Sequence, residues 1–376
     1  MRIGVIGAGN ISASYLKRAG IFRGLEMVAV ADLDASRASA RAEEFGVEAE
    51  AVDGLLARDD LDVVVNLTVP LAHAEVSEAI LRSGKHVWSE KPLCMGLEEG
   101  RHLGAVADEM GLRIGCAPDT YLGGAHQESR RLLDEGAVGR IVHGTAHVLS
   151  PGMEAWHPGP DFFFQPGGGP ILDLGGYYVM QLVNLLGPVA RIAAAGTRGA
   201  DAREIGSGPR RGESVPVDVD TTIHAILAFA SGAIVTLGAS WDVRHGHGHR
   251  NVELYGTDGT LIPQDPNFFG GPTLVMRGGG TERFDAAHHP LSTINAVTND
   301  GRDVADYRTV GLADMVDAIR EGRGHRCSFE RVLHVTEVLE AILRSAAGDG
   351  AVDLETTCTR PDPLGPEAAR AMMRQT

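Results

Sequence analysis

Met1-Arg2-Ile3-Gly4-Val5-Ile6-Gly7-Ala8-Gly9-Asn10-Ile11-Ser12 opens the chain, and the reading of this stretch decides the fold. A short apolar run meets two closely spaced glycines and then a segment with helical spacing. Such a turn alone says little, because paired glycines occur in any tight turn. Here it follows an apolar strand and precedes a helix, and Asp32 stands 25 residues after Gly7, at the end of a second apolar run over 25–31. That is the context a dinucleotide fingerprint requires. Gly7 and Gly9 let the backbone turn sharply and approach a pyrophosphate resting on the next helix N-terminus. The bland alternative is a strand–helix turn with no ligand. Ser12 stands at the third position of the fingerprint and is small enough for close packing. Asp32 is expected to accept hydrogen bonds from the adenosine ribose and to repel a 2′-phosphate, which favours NAD over NADP. Arg37 could accommodate that phosphate, or simply cover a solvated helix face.

Working outward, strands and helices alternate over the first 120 residues. Residues 63–68 read as a buried strand. Ala72, Val76, Ala79 and Ile80 then recur at helical spacing up to Gly84, and a further helix ends at Gly111 before a strand at 112–116. This alternation predicts a Rossmann-type, doubly wound parallel sheet. Past Tyr121 the pattern changes. A helix near 125–135 leads to a long strand at 138–149, an irregular aromatic loop and an apolar helix at 171–186 halted by Gly187-Pro188. Strand-like runs at 189–195, 217–230, 233–242 and 250–256 follow, joined by short turns. They predict an open, mostly antiparallel sheet and an α+β second domain. Residues 197–214 read as an exposed loop, and helices are expected near 309–321 and 329–346. The expected division is 1–120 for the cofactor domain and 121–376 for a substrate-binding and oligomerisation domain.

Composition bounds the function. The 376 residues suit two domains, and no run approaches the roughly 20 apolar residues of a membrane span. The start reads directly into a strand without a secretory pattern, and Cys94, Cys116, Cys327 and Cys358 are scattered, so a cytoplasmic location is expected. A net charge of −16 argues against binding nucleic acid or anionic membranes.

Two further stretches carry chemistry. Glu90-Lys91-Pro92 follows the strand around 86–88, at the carboxyl edge where open α/β sheets place ligands. An ammonium there can hydrogen-bond a substrate hydroxyl and favour ionisation of a neighbouring acid; otherwise Lys91 is a surface lysine. Gly167-Gly168-Gly169-Pro170-Ile171-Leu172-Asp173-Leu174-Gly175-Gly176-Tyr177 is the other. Asp173 and Tyr177, four apart on an apolar helix, share a face, and an acid buried unpaired there would be costly. The competing reading makes Asp173 a helix-start acid and Tyr177 packing.

With these motifs in view, the chain resembles the Gfo/Idh/MocA oxidoreductases over nearly its whole length. In that family the lysine, the aspartate and a final His or Tyr meet at the nicotinamide. Tyr177 makes this sequence similar to the tyrosine branch, with glucose–fructose oxidoreductase, dihydrodiol dehydrogenase and sugar 3-ketoreductases. The resemblance implies a sugar, sugar derivative or cyclitol substrate and hydride exchange at a secondary alcohol or hemiacetal carbon. It implies catalytic roles for Lys91, Asp173 and Tyr177. It also sets Gly7, Gly9, Asn10, Ile11, Asp32, Thr68, Pro70, His73, Glu90 and Lys91 along the cofactor, although His73 reads equally well as a satisfied helix-start histidine. Asp119, Trp156 and His157 join Lys91, Asp173 and Tyr177 as expected substrate contacts. An aromatic plane suits the apolar face of a sugar, but the loop of Trp156 could merely pack over the domain junction.

His245-Gly246-His247-Gly248-His249 tempts a metal reading. No carboxylate or cysteine of ligand spacing accompanies it, so no metal is expected, and the loop is expected near the substrate pocket. The resulting reading is an NAD-dependent oxidoreductase in which Tyr177 is the general acid/base, Lys91 favours its ionisation, and Asp173 orients substrate or lysine. Two alternatives stand beside it: a redox-neutral enzyme that cleaves glycosides through transient oxidation, and a non-catalytic NAD sensor. The family's open sheet further implies a homodimer or homotetramer.

Overall fold

Short, apolar β-branched runs build the first half of the molecule. In a computed structural model, which describes residues 1–298 and 301–374, β1 (Arg2–Ile6), β2 (Glu26–Ala31), β3 (Glu48–Glu50), β4 (Val63–Asn66), β5 (His86–Ser89) and β6 (Ile114–Cys116) form one sheet. Every pairing is parallel, in the order β3-β2-β1-β4-β5-β6. Ile3, Val5, Val63, Val64, Val65, Val87 and Trp88 are fully buried. Burial on both sheet faces explains why these strands read as continuous apolar runs rather than alternating ones. The helices between them carry ordinary stop signals: Asp34 accepts from the amide of Ser36 at the start of Ala35–Phe45, and Gly46, in the left-handed region, ends that helix.

The second half is built on a nine-stranded sheet. Its strands are β7 (Ile141–Leu149), β8 (Val189–Thr197), β11 (Thr222–Phe229), β12 (Ile234–Ser240), β13 (Val252–Gly256), β14 (Thr260–Ile262), β15 (Pro272–Arg277), β16 (Gly280–Asp285) and β19 (Val352–Asp353). Outside it lie two small ribbons, β9 (Ala202–Glu204) with β10 (Ser214–Pro216), and β17 (Ala296–Val297) with β18 (Asp303–Val304). The order is β16-β15-β14-β13-β7-β12-β11-β8-β19. All neighbours are antiparallel except β12 and β7, which run parallel, so the expected mostly antiparallel sheet holds with one parallel seam. Residues 197–214 are not a plain exposed loop: β9 and β10 bring Arg203, Ile205 and Val215 into a small core with Phe164 and Trp241.

One face of this sheet is covered. Its inward side chains, such as Ala146, Val148, Ala225, Leu227, Leu237 and Leu254, share a continuous core with the helices Gly124–Asp134, Gly176–Leu186 and Phe329–Arg344. Their outward neighbours His143, His224, Ile226, Ile234 and Thr236 are exposed. The chain then leans back on the first sheet: a bridge pairs Phe22 with Met373, and Arg374 donates to the carbonyl of Leu25. No helix of the described residues is long and apolar enough to cross a membrane.

Candidate active site

The Gly-rich turn shows two different demands for glycine. Gly7 has φ +107, and a Cβ there would lie 2.5 Å from the carbonyl oxygen of Leu67, so the protein itself excludes a side chain. A Cβ on Gly9 would meet nothing within 4 Å. Gly9 is also the N-cap of helix Asn10–Ala19, with no side-chain cap and no acid in the first turn. Free backbone N–H groups and open space at a helix N-terminus fit a pyrophosphate. Asp32 is tied to this turn, one carboxylate oxygen accepting from the amide of Ala8 at 2.7 Å and the other from Asp34 at 2.9 Å. A cleft of about 540 Å³ beside it is lined by Ala8, Gly9, Asn10, Arg37 and Arg41. Arg37 is exposed and pairs with Asp34 at 3.4 Å. Arg41 was not singled out in the sequence, where nothing marks it beyond its place one helical turn after Arg37.

At the carboxyl edge of β4 and β5 the structure brings three sequence-predicted residues together. Lys91 Nζ donates to Asp173 Oδ1 at 3.1 Å and to the Asp173 carbonyl. It lies 5.4 Å from the ring centroid of Tyr177. Burial works against the ammonium, but Asp173, Tyr177 and Glu90 outweigh it and hold its pKa above the ordinary lysine value. Lys91 is therefore a firm cation. The helix expected over 171–186 starts differently: Ile171–Gly175 is a π-helical turn, and the α-helix proper is Gly176–Leu186. Such π turns recur at functional sites.

Glu90 is buried and braced. Its carboxylate accepts from the Tyr15 hydroxyl at 2.9 Å and the Lys91 amide at 3.0 Å, while Trp88 Nε1 donates to Tyr15. Arg308, which no sequence motif marked, brings a guanidinium to 3.4 Å from Glu90. Thr68 hydrogen-bonds Asn66 through its hydroxyl and amide, and Pro70 begins a 3₁₀ turn beside the exposed Val69 and Leu71.

Two expected contacts are buried, with polar atoms engaged by the backbone. His73 is 1% exposed, with Nδ1 at 2.5 Å from the Pro92 carbonyl and Nε2 at 3.1 Å from that of Thr68. Burial lowers its pKa. It braces the loops after β4 and β5, as the reading of a satisfied helix-start histidine has it. Asp119 is 2% exposed, and one of its oxygens accepts from the amides of Thr309 and Gly311. That carboxylate anchors the start of helix Val310–Glu321. Burial pushes its pKa up to about 6.

Trp156 and His157 lie in the aromatic loop. Trp156 is 62% exposed, and His157 packs edge-on against Trp156, Phe162 and Phe163. Through Gly167 the loop reaches Leu71 and Met95 of the first domain. The histidine loop at 245–249 does not approach this cleft. His249 stacks on His147 at 4.3 Å, on the outward face of β7, the opposite side of the sheet from the helix bearing Tyr177. Among the described residues no group of three or more His, Cys, Asp or Glu is arranged to hold a metal ion.

A model of the oxidoreductase family with an NAD-binding Rossmann fold matches residues 1–117, and one of the GFO/IDH/MocA C-terminal domain matches 126–262. A dTDP-3,4-didehydro-2,6-dideoxy-alpha-D-glucose 3-reductase of Streptomyces violaceoruber is 30% identical over 348 residues, covering 85% of this chain and 95% of that protein. A levoglucosan dehydrogenase of Pseudarthrobacter phenanthrenivorans is 26% identical over 352 residues, covering 86% and 88%. In architecture, a levoglucosan dehydrogenase in complex with NADH and L-sorbose superposes with a TM-score of 0.79 at 22% identity, covering 95% of this chain and 99% of that one, a likeness of fold.

Proposed function

The chain belongs to the Gfo/Idh/MocA oxidoreductase family, and on that premise we propose that it is an NAD-dependent dehydrogenase or reductase acting on a secondary alcohol or hemiacetal carbon of a sugar, sugar derivative or cyclitol. One observation carries the reading: Lys91, held by Asp173, stands beside the Tyr177 ring at the carboxyl edge of the parallel sheet. A binding protein alone has no use for a firm ammonium set against a phenol at that edge.

When bound, the nicotinamide supplies hydride exchange. The chain's own residues manage the proton. Tyr177 takes the proton of the reacting hydroxyl in oxidation and returns it in reduction. Lys91 favours the negatively charged side of that exchange, because an opposite charge within a few ångströms stabilises an anion. Asp173 fixes the lysine through both side chain and carbonyl. Glu90, braced by Tyr15, fixes the Lys91 backbone. The Gly9 helix terminus and Asp32 would hold the pyrophosphate and the adenosine ribose. Substrate would lie against the loop of Trp156 and His157, and an exposed aromatic plane there supports a sugar ring. Two relatives are named for reactions on sugars, which supports the substrate class. The two-domain division near residue 120 follows the break between the parallel and the mixed sheet.

The test is a panel of aldoses, ketoses, anhydrosugars and cyclitols assayed with NAD and NADP in both directions. Stoichiometric NADH with one class of sugar is the expected outcome. Product without net NADH, from enzyme given no added cofactor, would move the assignment to redox-neutral chemistry.

A further inference from the structure

Residues 150–170, the loop that carries Trp156 and His157, are clasped by the β9–β10 ribbon. The amide of Gly206 donates to the Glu154 carbonyl at 2.8 Å, and Arg210 holds Asp161 through two bonds. A Cβ on Gly206 would lie 2.9 Å from the Ala155 carbonyl oxygen, and one on Gly208 would lie 2.7 Å from the Pro158 Cβ. Ribbon and loop are therefore packed backbone to backbone.

Arg203, on β9, is the hub of this clasp, its side chain only 2% exposed. At the start of the loop Nη1 donates to Glu154 Oε1 at 2.9 Å. At the loop's far end the guanidinium stands 5.9 Å from the centroid of the Phe164 ring. Nη2 donates to the Asp242 carboxylate, which also accepts from the hydroxyls of Thr221 at 2.7 Å and Thr222 at 2.6 Å, where β11 begins and β12 ends. Ions this deep add little net stability, because desolvation offsets most of their attraction, and apolar residues of similar volume often do as well. Glu154 Oε2, Arg203 Nε and Trp241 Nε1 are buried without a partner, which raises the cost. What the charges supply and apolar side chains do not is direction, since a planar guanidinium fixes the angle of each carboxylate it holds.

The loop so held lies at the reaction edge. His157 packs on Phe163 with centroids 5.3 Å apart. The Phe163 carbonyl accepts from Gly169 at 2.8 Å, the Gly169 carbonyl accepts from Asp173 at 3.1 Å, and Asp173 holds Lys91. A Cβ on Gly167 would lie 3.2 Å from Leu71 and 3.5 Å from Met95, which follow β4 and β5. We infer that Glu154 and Arg203 are positioning residues for substrate recognition: the Glu154–Arg203–Asp242 triad fastens the turn at 153–157 to the nine-stranded sheet and so sets where Trp156 and His157 meet the sugar. The inference rests on the reading of this loop as the substrate's support.

The test is a split between binding and turnover. Glu154→Ala cuts the loop from Arg203 and leaves Arg203 paired with Asp242. It should raise KM for the best sugar of the panel roughly tenfold, about the weight of one aromatic contact. At saturation kcat should stay within about twofold, because the far end of the loop keeps its bonds to the Asp173 turn, and NAD affinity should be unchanged. Glu154→Gln, which keeps an acceptor for Arg203, should restore most of the sugar affinity. Trp156→Ala should raise KM by a similar factor, and the double variant should be little worse than either single one, since a loosened loop has already lost that contact. Trp156 is the one exposed tryptophan of three. Sugar added to NAD-loaded wild type should therefore change its emission, and the same concentration should not do so in Glu154→Ala. If Glu154→Ala does not fold, Asp242→Asn, which loosens the triad from the sheet side, carries the same expectation. A sugar KM unmoved in the folded variant, or one that rises together with loss of kcat and NAD affinity, would overturn the inference and leave the triad as packing. A KM unmoved in Trp156→Ala would strike the reading of the loop as the sugar's support, and the inference with it, so the two failures are separable.

Discussion

Replacing Tyr177 by phenylalanine removes one oxygen and leaves a buried ring in place, so chemistry and packing separate at this position. General acid–base catalysis is typically worth 10²–10⁴-fold. Tyr177→Phe should cut turnover by about that factor with NAD affinity nearly unchanged by calorimetry. Lys91→Met should act on the same step, and the double variant should be little worse than either alone, since groups working as a unit are not additive. Full turnover in Tyr177→Phe would reduce the tyrosine to packing. At Asp32 the structure sharpens the choice of variant. Its carboxylate also accepts from Ala8, so Ser would loosen the turn, whereas Asn keeps an acceptor and removes the charge. Asp32→Asn should weaken NAD and raise NADP use, with Arg37 and Arg41 already lining the cleft. A native enzyme that prefers NADP by an order of magnitude would contradict the assignment. Lys91, Asp173 and Tyr177 were legible because short, local motifs mark them. At His73 and Asp119 the sequence left the role open for one reason: a polar residue near a strand's carboxyl end is visible in sequence, but the groups that take up its hydrogen bonds are not. For Asp119 those groups are 190 and 192 residues away. Arg308 was invisible for the complementary reason, its partner Glu90 standing 218 residues away.

The start of helix Val310–Glu321 gives an element-scale test. Asp119 has a folded pKa of about 6 against an ordinary 3.8. A carboxyl that holds its proton more tightly when folded adds stability that is fully present below pH 3.8. That stability is lost as pH rises through 6. By neutral pH the loss is of order 3 kcal/mol, at 1.36 kcal/mol per unit. Asp119→Asn removes the titration. Its melting temperature should match the wild type near pH 4 and pull ahead between pH 4 and 7. A gap in melting temperature that does not widen with pH would show that burial is not what sets this carboxyl. Elements of the first sheet were legible because two-sided burial writes them as unbroken apolar runs. The second sheet was legible in its strands but not in all its directions. The parallel seam between β7 and β12 joins residues some ninety apart, such as Ala146 and Leu237, and no local pattern encodes strand direction. The β9–β10 ribbon was hidden by its Gly- and Arg-rich composition, because Arg203 is buried through ion pairs with Glu154 and Asp242 rather than by apolar character.

Across the whole molecule, the nine-stranded sheet leaves one face without helices among the described residues. Ile226 and Ile234 are about half exposed there, and Val142 and Met276 nearly so. Exposed apolar side chains on an uncovered sheet face suit an association surface, and a self-complementary face closes a symmetric pair most simply. The same face carries a row of imidazoles. His224 and His147 each stand opposite Gly238, one on either side of β12, and the missing side chain lets them converge over it. His249 stacks on His147, and His247 lies beyond it. Burial lowers the His147 pKa, and the nearby His249, His224 and His247 add to that, against the opposing hydrogen bond to the Arg250 carbonyl. The other charged groups on this side include Glu253 and Arg250, 4.0 Å apart. A histidine whose pKa falls on packing contributes stability present above its unperturbed value of about 6.5, and lost as pH drops through the lowered one. A second copy seated on this face would bury His147 further and act in the same direction. The protein should therefore be a homodimer or homotetramer at pH 7.5 and micromolar concentration, shifting towards monomer near pH 5. The paired variant His147→Gln, His224→Gln should stay associated across that range. Light scattering that finds a monomer at pH 7.5 would remove the interface, and equal pH sensitivity in the paired variant would remove the histidines' part in it.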